Sequence, residues 1–182
     1  MHSPSVVRRG SMLLSIMFAA ALLVTSAPTT ARAQAGGIAV GIPAPAAAVS
    51  TLDGAATDLS NFIGKTPVVM EFWATWCPLC KQLEPAMSEA RKKYADKVTF
   101  VSVGVSNNQS AEKQKAYAVA HAMEGVMVFD VDGHAVKAYA APHTSFVVAV
   151  DKSGKVVYTG VGGEQNIESV VALAMSTPPA VR

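Results

Sequence analysis

Val68-Val69-Met70-Glu71-Phe72-Trp73-Ala74-Thr75-Trp76-Cys77-Pro78-Leu79-Cys80-Lys81-Gln82-Leu83-Glu84-Pro85 joins two patterns that decide the fold. Residues 67–73 are continuously apolar apart from one acid, the pattern of a strand buried on both faces. After the cysteines, Leu79, Leu83, Met87, Ala90 and Tyr94 recur at helical spacing, which predicts an amphipathic helix over 77–94, kinked at Pro85. The cysteines therefore stand where a buried strand hands over to a helix. There the first sulfur faces unpaired N–H groups and the positive end of the helix dipole, which favours thiolate. Pro78 suits the first helical position, where no N–H donor is needed. Cys80, one turn inward, is expected to be more buried than Cys77. That difference in access makes Cys77 the attacking thiolate and Cys80 the thiol that resolves a mixed disulfide.

Glu71 is the anomaly of the strand. Burial disfavours its charge and raises its pKa, and a carboxyl beneath the helix start is placed to take a proton from Cys80, directly or through water, and return it. The competing reading is a rim glutamate facing water. Trp73 reads as core, and Trp76 as a ring that shields the sulfur and meets partners.

Working outward, residues 34–48 are rich in Ala, Gly and Pro and read as an extended lead-in, with folding expected to start after it. A strand over 49–52, the Asp53-Gly54 turn and a helical turn over 59–63 follow. Arg91 and Lys92 fall among acids on a presumed solvated helix face. A second buried strand over 98–105 comes next, then a helix capped by Ser110, running to Glu124 and closed by Gly125. Beyond it the pattern predicts a short strand over 126–129, a short helix over 135–140 and a hairpin of strands 146–150 and 155–159 about Asp151-Lys152-Ser153-Gly154. A last helix over 167–175 ends before Pro178-Pro179. This order predicts an α/β domain over 49–176: a central mixed β-sheet flanked by helices on both faces, with an N-terminal β-hairpin extension. Residues 177–182 are expected to form a flexible tail.

Arg8 and Arg9 followed by an apolar run over 12–27 have the layout of a signal peptide over residues 1–33. The run is shorter than the ~20 residues that span a bilayer, although an uncleaved anchor is the alternative. Ala31-Arg32-Ala33 supplies a cleavage pattern, and no cysteine follows for lipid attachment. Both readings imply export, to the periplasm or elsewhere outside the cytoplasm, with membrane contact only if the leader stays. The formal charge of +2 comes from 15 basic and 13 acidic residues. Without Arg8, Arg9 and Arg32 the balance is 12 against 13, so no basic stripe for nucleic acid is expected. The two cysteines of the chain sit too close to brace a secreted fold. A zinc knuckle would need two more ligands, whereas His121, His134 and His143 are scattered. Gly160-Val161-Gly162-Gly163 lacks the strand-to-helix setting of a dinucleotide loop and reads as a turn. Asp130 and Asp132 read as a helix start, and Asn108-Gln109-Ser110 as loop and cap. No cofactor is expected.

Residues 68–85 closely resemble the active-site segment of thioredoxin-like proteins, in particular the TlpA/ResA-like exported thiol-disulfide oxidoreductases. The acid before Phe72-Trp73-Ala74, Trp76 before the first cysteine, the C-x-x-C and Pro85 five residues after Cys80 carry the likeness, with looser similarity over 38–176. The resemblance implies a thioredoxin-like fold, Cys77 as nucleophile, Cys80 as resolving cysteine and Glu71 as buried acid. It also implies client proteins with cysteines or disulfides, such as apocytochrome c or copper-site proteins, and a membrane thiol transporter as electron donor. Such proteins set a cis-proline before the third main strand, where its backbone pairs with client. Counting back from Gly154 puts Ser145 there, preceded by Thr144, while Pro142 fits only with three residues between. The Asp-x-x-Gly turn favours Ser145, which makes Trp76, Pro78, Thr144 and Ser145 the expected client contacts. Two other functions use the same cysteines: copper binding and delivery, with His143 or a methionine completing a soft site, and thiol oxidation or peroxide reduction.

Overall fold

The computed structural model describes residues 1–2 and 36–176. The chain divides into units Met1–Arg32 and Ala33–Arg182, and the second holds the fold described here. All but the first two residues of the expected leader, and the expected tail over 177–182, lie outside the described residues. Among those described, no helix is long and apolar enough to cross a membrane.

Seven strands form one sheet in the order β2-β1-β5-β4-β3-β6-β7. In chain order the elements are β1 (Ala48–Thr51), β2 (Ala56–Asp58), a 3-10 turn (Leu59–Phe62), β3 (Val68–Trp73), α1 (Pro78–Tyr94), β4 (Thr99–Val105), α2 (Ala111–Ala120), β5 (Val126–Asp130), α3 (His134–Ala138), β6 (Phe146–Val150), β7 (Val156–Val161) and α4 (Ile167–Met175). β3, β4 and β5 run parallel, so α1 and α2 are the crossovers that parallel pairing demands. β6 joins β3 antiparallel, and the β6–β7 and β1–β2 hairpins complete the two sides of the sheet.

Every residue of β3 is buried. Its alternate side chains feed two cores. Val68, Met70 and Phe72 join Tyr139, Phe146 and Ile38 on one face, while Val69 packs with Leu83 and Met87 of α1 and with Val170 and Val171 of α4 on the other. Asp151 sets the β6–β7 hairpin. Against the cost of burial, the Ser153 hydroxyl at 2.6 Å and the N–H groups of Lys155 at 3.0 Å and Ser153 at 2.8 Å all donate to its Oδ1 and hold its carboxyl below the usual range.

Three expectations need correction. The lead-in is part of the fold, because an extended Gly/Pro segment can still donate and accept along a neighbouring strand. Ile38 N–H donates to Tyr139 O at 2.9 Å, Gly41 N–H to Val156 O at 2.8 Å and Val156 N–H to Ile42 O at 2.9 Å. Gly37, at φ +97°, lies so close to the Phe146 ring that a Cβ would collide with it. Next, α2 stops at Ala120, short of Glu124. Ala122 takes φ +48°, and Met123 N–H reaches back to Ala118 O at 2.9 Å, a closing motif that sequence rules assign to glycine. Finally, Gly160 and Val161 belong to β7, paired with Val147 and Phe146, so only Gly162-Gly163 form a turn.

Replacing the buried Ile38 with alanine is expected to lower the unfolding free energy by about 2 kcal/mol or more. Chemical denaturation measures this. A change below ~0.5 kcal/mol would mean that the lead-in is not part of the packed core.

Candidate functional site

β3 delivers the chain to the site through Ala74, Thr75 and Trp76, and that approach is held from outside. Gln109, just beyond β4, accepts from Thr75 N–H at 3.0 Å and from Thr75 Oγ1 at 3.1 Å, and donates to Val105 O at 2.5 Å. Trp76 Nε1–H donates to Asn107 O at 2.9 Å, leaving the indole exposed. Sequence reading took residues 108–110 as loop and cap. Ser110 does cap α2, but the bracing role of Gln109 had no local signal. Trp73 is buried, its ring 5.8 Å from that of Tyr117.

Cys77 is the N-cap of α1 and Pro78 its first residue. Cys77 and Cys80 form a disulfide with Cα atoms 5.3 Å apart, and Cys77 Sγ accepts the N–H of Cys80 at 3.1 Å. The sulfur thus stands where a capping oxygen would stand, at the positive end of the helix. The expected difference in access is absent in this oxidised state: Cys77 is 2% exposed and Cys80 5%. Both sulfurs are drawn into the first turn, so the helix N-terminus, not exposure, distinguishes them. Pro78 and Leu79 are exposed beside the disulfide, and for Leu79 this departs from the expected core stripe.

Glu71 is 2% exposed, which rules out the rim reading. It pairs in register with Ser102 on β4 and Val147 on β6, and its Oε1 has no hydrogen-bond partner. One small cleft is lined by Glu71, Cys80, Lys81, Glu84 and Tyr117, among others, so the carboxyl and the second cysteine share a space. Burial, assisted by the Glu84 charge and opposed by Arg91, pushes Glu71 up to about 8. Arg91 corrects an expectation, since it lies at 3% exposure, not on a solvated face, and it supplies a cation near Glu71. Its Nη1 meets Glu84 Oε1 at 2.6 Å and its Nη2 donates to Ser102 Oγ at 3.3 Å.

Ser145 immediately precedes β6, at φ +60°, and the described residues contain no cis peptide bond. Its N–H donates to Phe72 O at 2.8 Å and its hydroxyl to Gly162 O at 2.9 Å, while its carbonyl accepts from Gly162 N–H and Gln165 Nε2, each at 3.1 Å. Ser145 is fully buried, with its N–H, hydroxyl and carbonyl all bonded within the protein. Its half-buried neighbour Thr144 is the accessible one, and Pro142 lies against Gly36. No three His, Cys, Asp or Glu side chains converge among the described residues, so exposed His143 is not gathered with the cysteines.

In the reduced protein, Cys77 is expected to react with iodoacetamide at least ~10-fold faster than Cys80, because its sulfur alone caps the helix. Mass mapping after brief labelling checks this, and equal labelling would remove the assignment of roles.

A redoxin family model matches residues 39–173. The thioredoxin-like protein YneN of Bacillus subtilis is 38% identical over 98 residues, which cover 53% of this chain and only 57% of that relative. The thiol-disulfide oxidoreductase ResA of Bacillus thuringiensis is 30% identical over 132 residues, 72% of this chain and 74% of that one. Among solved structures, the thioredoxin domain of a thiol-disulfide oxidoreductase from Bacteroides vulgatus superposes with a TM-score of 0.65 at 22% identity, covering 76% of this chain and 99% of that one. A thiol:disulfide interchange protein from Chlorobium tepidum gives 0.62 at 25%, covering 75% and 98%.

Proposed function

From the premise that this chain belongs to the redoxin family and is a thioredoxin-like protein-disulfide oxidoreductase of the ResA type, we propose that it acts outside the cytoplasm as a reductase of disulfides in client proteins. The observation that carries this reading is the cleft shared by Glu71 and Cys80 behind a disulfide seated at a helix N-terminus. The leader pattern supports export. In the forward reaction Cys77 thiolate attacks one sulfur of a client disulfide, forming a mixed disulfide and releasing the other client sulfur as thiolate. Cys80 then yields its proton to the Glu71 carboxylate. The new Cys80 thiolate attacks Cys77 Sγ, closing the Cys77–Cys80 bond and freeing the second client thiolate. The client gains two electrons and the protein is oxidised. Recharging reverses these steps with a dithiol donor, for which a membrane thiol transporter is the fitting class. The exposed rim of Trp76, Pro78 and Leu79, with Thr144, is the surface we assign to clients such as apocytochrome c or copper-site proteins.

Cys80→Ser is expected to accumulate client mixed disulfides through Cys77, read by non-reducing mass analysis of a periplasmic extract. An absence of trapped species where wild-type protein reduces the same clients would overturn the assigned order.

Glu71→Gln keeps the shape but cannot take the proton. Resolution of a mixed disulfide near neutral pH should slow by about 10²-fold or more, within the range of positioned acid–base groups. Stability moves the other way. Glu71 ionises near its ordinary 4.5 when unfolded and near about 8 when folded, so between these values the folded state keeps a proton that the unfolded state has lost. Folding is therefore penalised increasingly as pH rises through this window. Relative to wild type, the variant should gain little at pH 4 and on the order of a few kcal/mol at pH 8. Stopped-flow exchange beside unfolding at both pH values decides it, and an unchanged rate would reduce Glu71 to a buried strand residue.

A further inference from the structure

The proton-transfer reading leaves unexplained why the helix behind the disulfide buries an arginine. Long cationic side chains are almost never fully buried unless paired. Arg91, three turns along α1 from the cysteines, is covered completely and held at two points: Nη1 to Glu84 Oε1 at 2.6 Å and Nη2 to Ser102 Oγ at 3.3 Å. Ser102 is the register partner of Glu71 on the neighbouring strand. Glu84, 26% exposed in its side chain, lines the cleft that holds Glu71 and Cys80. The guanidinium is thus anchored beside the residue paired with Glu71, and its counter-ion reaches into the cleft of the proton transfer. A purely structural ion pair would need neither connection.

We infer that Arg91 is a positioning residue for proton transfer: pinned by Glu84 and Ser102, its buried charge sets how readily the Glu71 carboxyl takes and returns the proton of Cys80. This inference rests on the proposed exchange between Glu71 and Cys80. The two partners act oppositely. Arg91 favours ionised Glu71, and Glu84, a like charge on the same cleft, favours protonated Glu71. The other neighbours of Glu71 do little to alter this balance. Ser102 on β4 and Val147 on β6 are uncharged, Trp73 and Tyr117 present rings, and Lys81 carries its charge on an exposed side chain. Burial sets the upward direction, Glu84 adds to it and Arg91 opposes both, so the two members of the pair hold Glu71 from opposite sides.

The pair can be tested by the sign of two effects from one helix. Carbon-13 NMR of the Glu71 carboxyl follows its titration directly in the oxidised full chain, and stopped-flow disulfide exchange follows its consequence between pH 5 and 10. Arg91→Met should move the Glu71 midpoint up by about one unit or more, and the exchange profile should move with it. Glu84→Gln, which leaves the arginine uncompensated, should move both down. A structural role alone predicts lower stability in both variants without opposite midpoints. If Arg91→Met does not fold, Glu84→Gln still decides, since a lowered midpoint supports the inference and an unchanged one overturns it. Midpoints unmoved in both variants, or moved in the same direction, overturn it outright. Opposite midpoints beside a flat exchange profile would sustain the hold of Arg91 on Glu71 and instead overturn the transfer to Cys80.

Discussion

The burial of one ionisable carboxyl in the middle strand of the sheet is the constraint to which the rest of the site answers. Glu71 sits between β4 and β6, where backbone pairing shuts out solvent on both sides. An isolated carboxylate there would cost several kcal/mol, so the group holds its proton well above the ordinary range. Around it the fold supplies a small cleft shared with Cys80, an ion pair on α1 and aromatic rings from Trp73 and Tyr117. Each of these is tolerable only because the sheet and α1 are rigid.

That rigidity is built from ordinary parts. The strand-to-helix handover lacks secondary structure of its own from Ala74 to Trp76, and a free loop would blur the placement of the sulfurs. Gln109 and the carbonyl of Asn107 fix it from the opposite side of the crossover. Below it, Ser145 adopts a left-handed backbone that costs a non-glycine residue of order 1–3 kcal/mol. Its four hydrogen bonds tie the start of β6, the turn after β7 and the end of β3 to one point. The strain and its compensation lie at the same end of the sheet as the disulfide.

The ion pair on α1 illustrates a wider balance. A buried pair contributes little net stability, because desolvation offsets attraction, yet losing one partner is costly. Its persistence beneath a reactive centre is better understood through the field it exerts on a neighbouring acid than through the stability of the helix.

Residues 68–85 by themselves determined the strand, the junction and the helix, because continuous apolarity followed by a 3.6-residue period allows little else. They also identified the cysteines and Glu71, since an acid in such a strand is an anomaly visible without coordinates. The β6–β7 hairpin was legible for the same local reason, the Asp151 turn. What tertiary structure alone decided was whatever depended on partners distant in sequence. Arg91 reads as surface in a helix flanked by lysines, and only the packing of α1 against β4 reveals that its guanidinium meets Ser102. The docking of residues 38–44, the bracing by Gln109 and the bonding of Ser145 share that origin. Each is made by hydrogen bonds between segments that a local pattern cannot bring together, whereas burial and periodicity are properties a short stretch carries within itself.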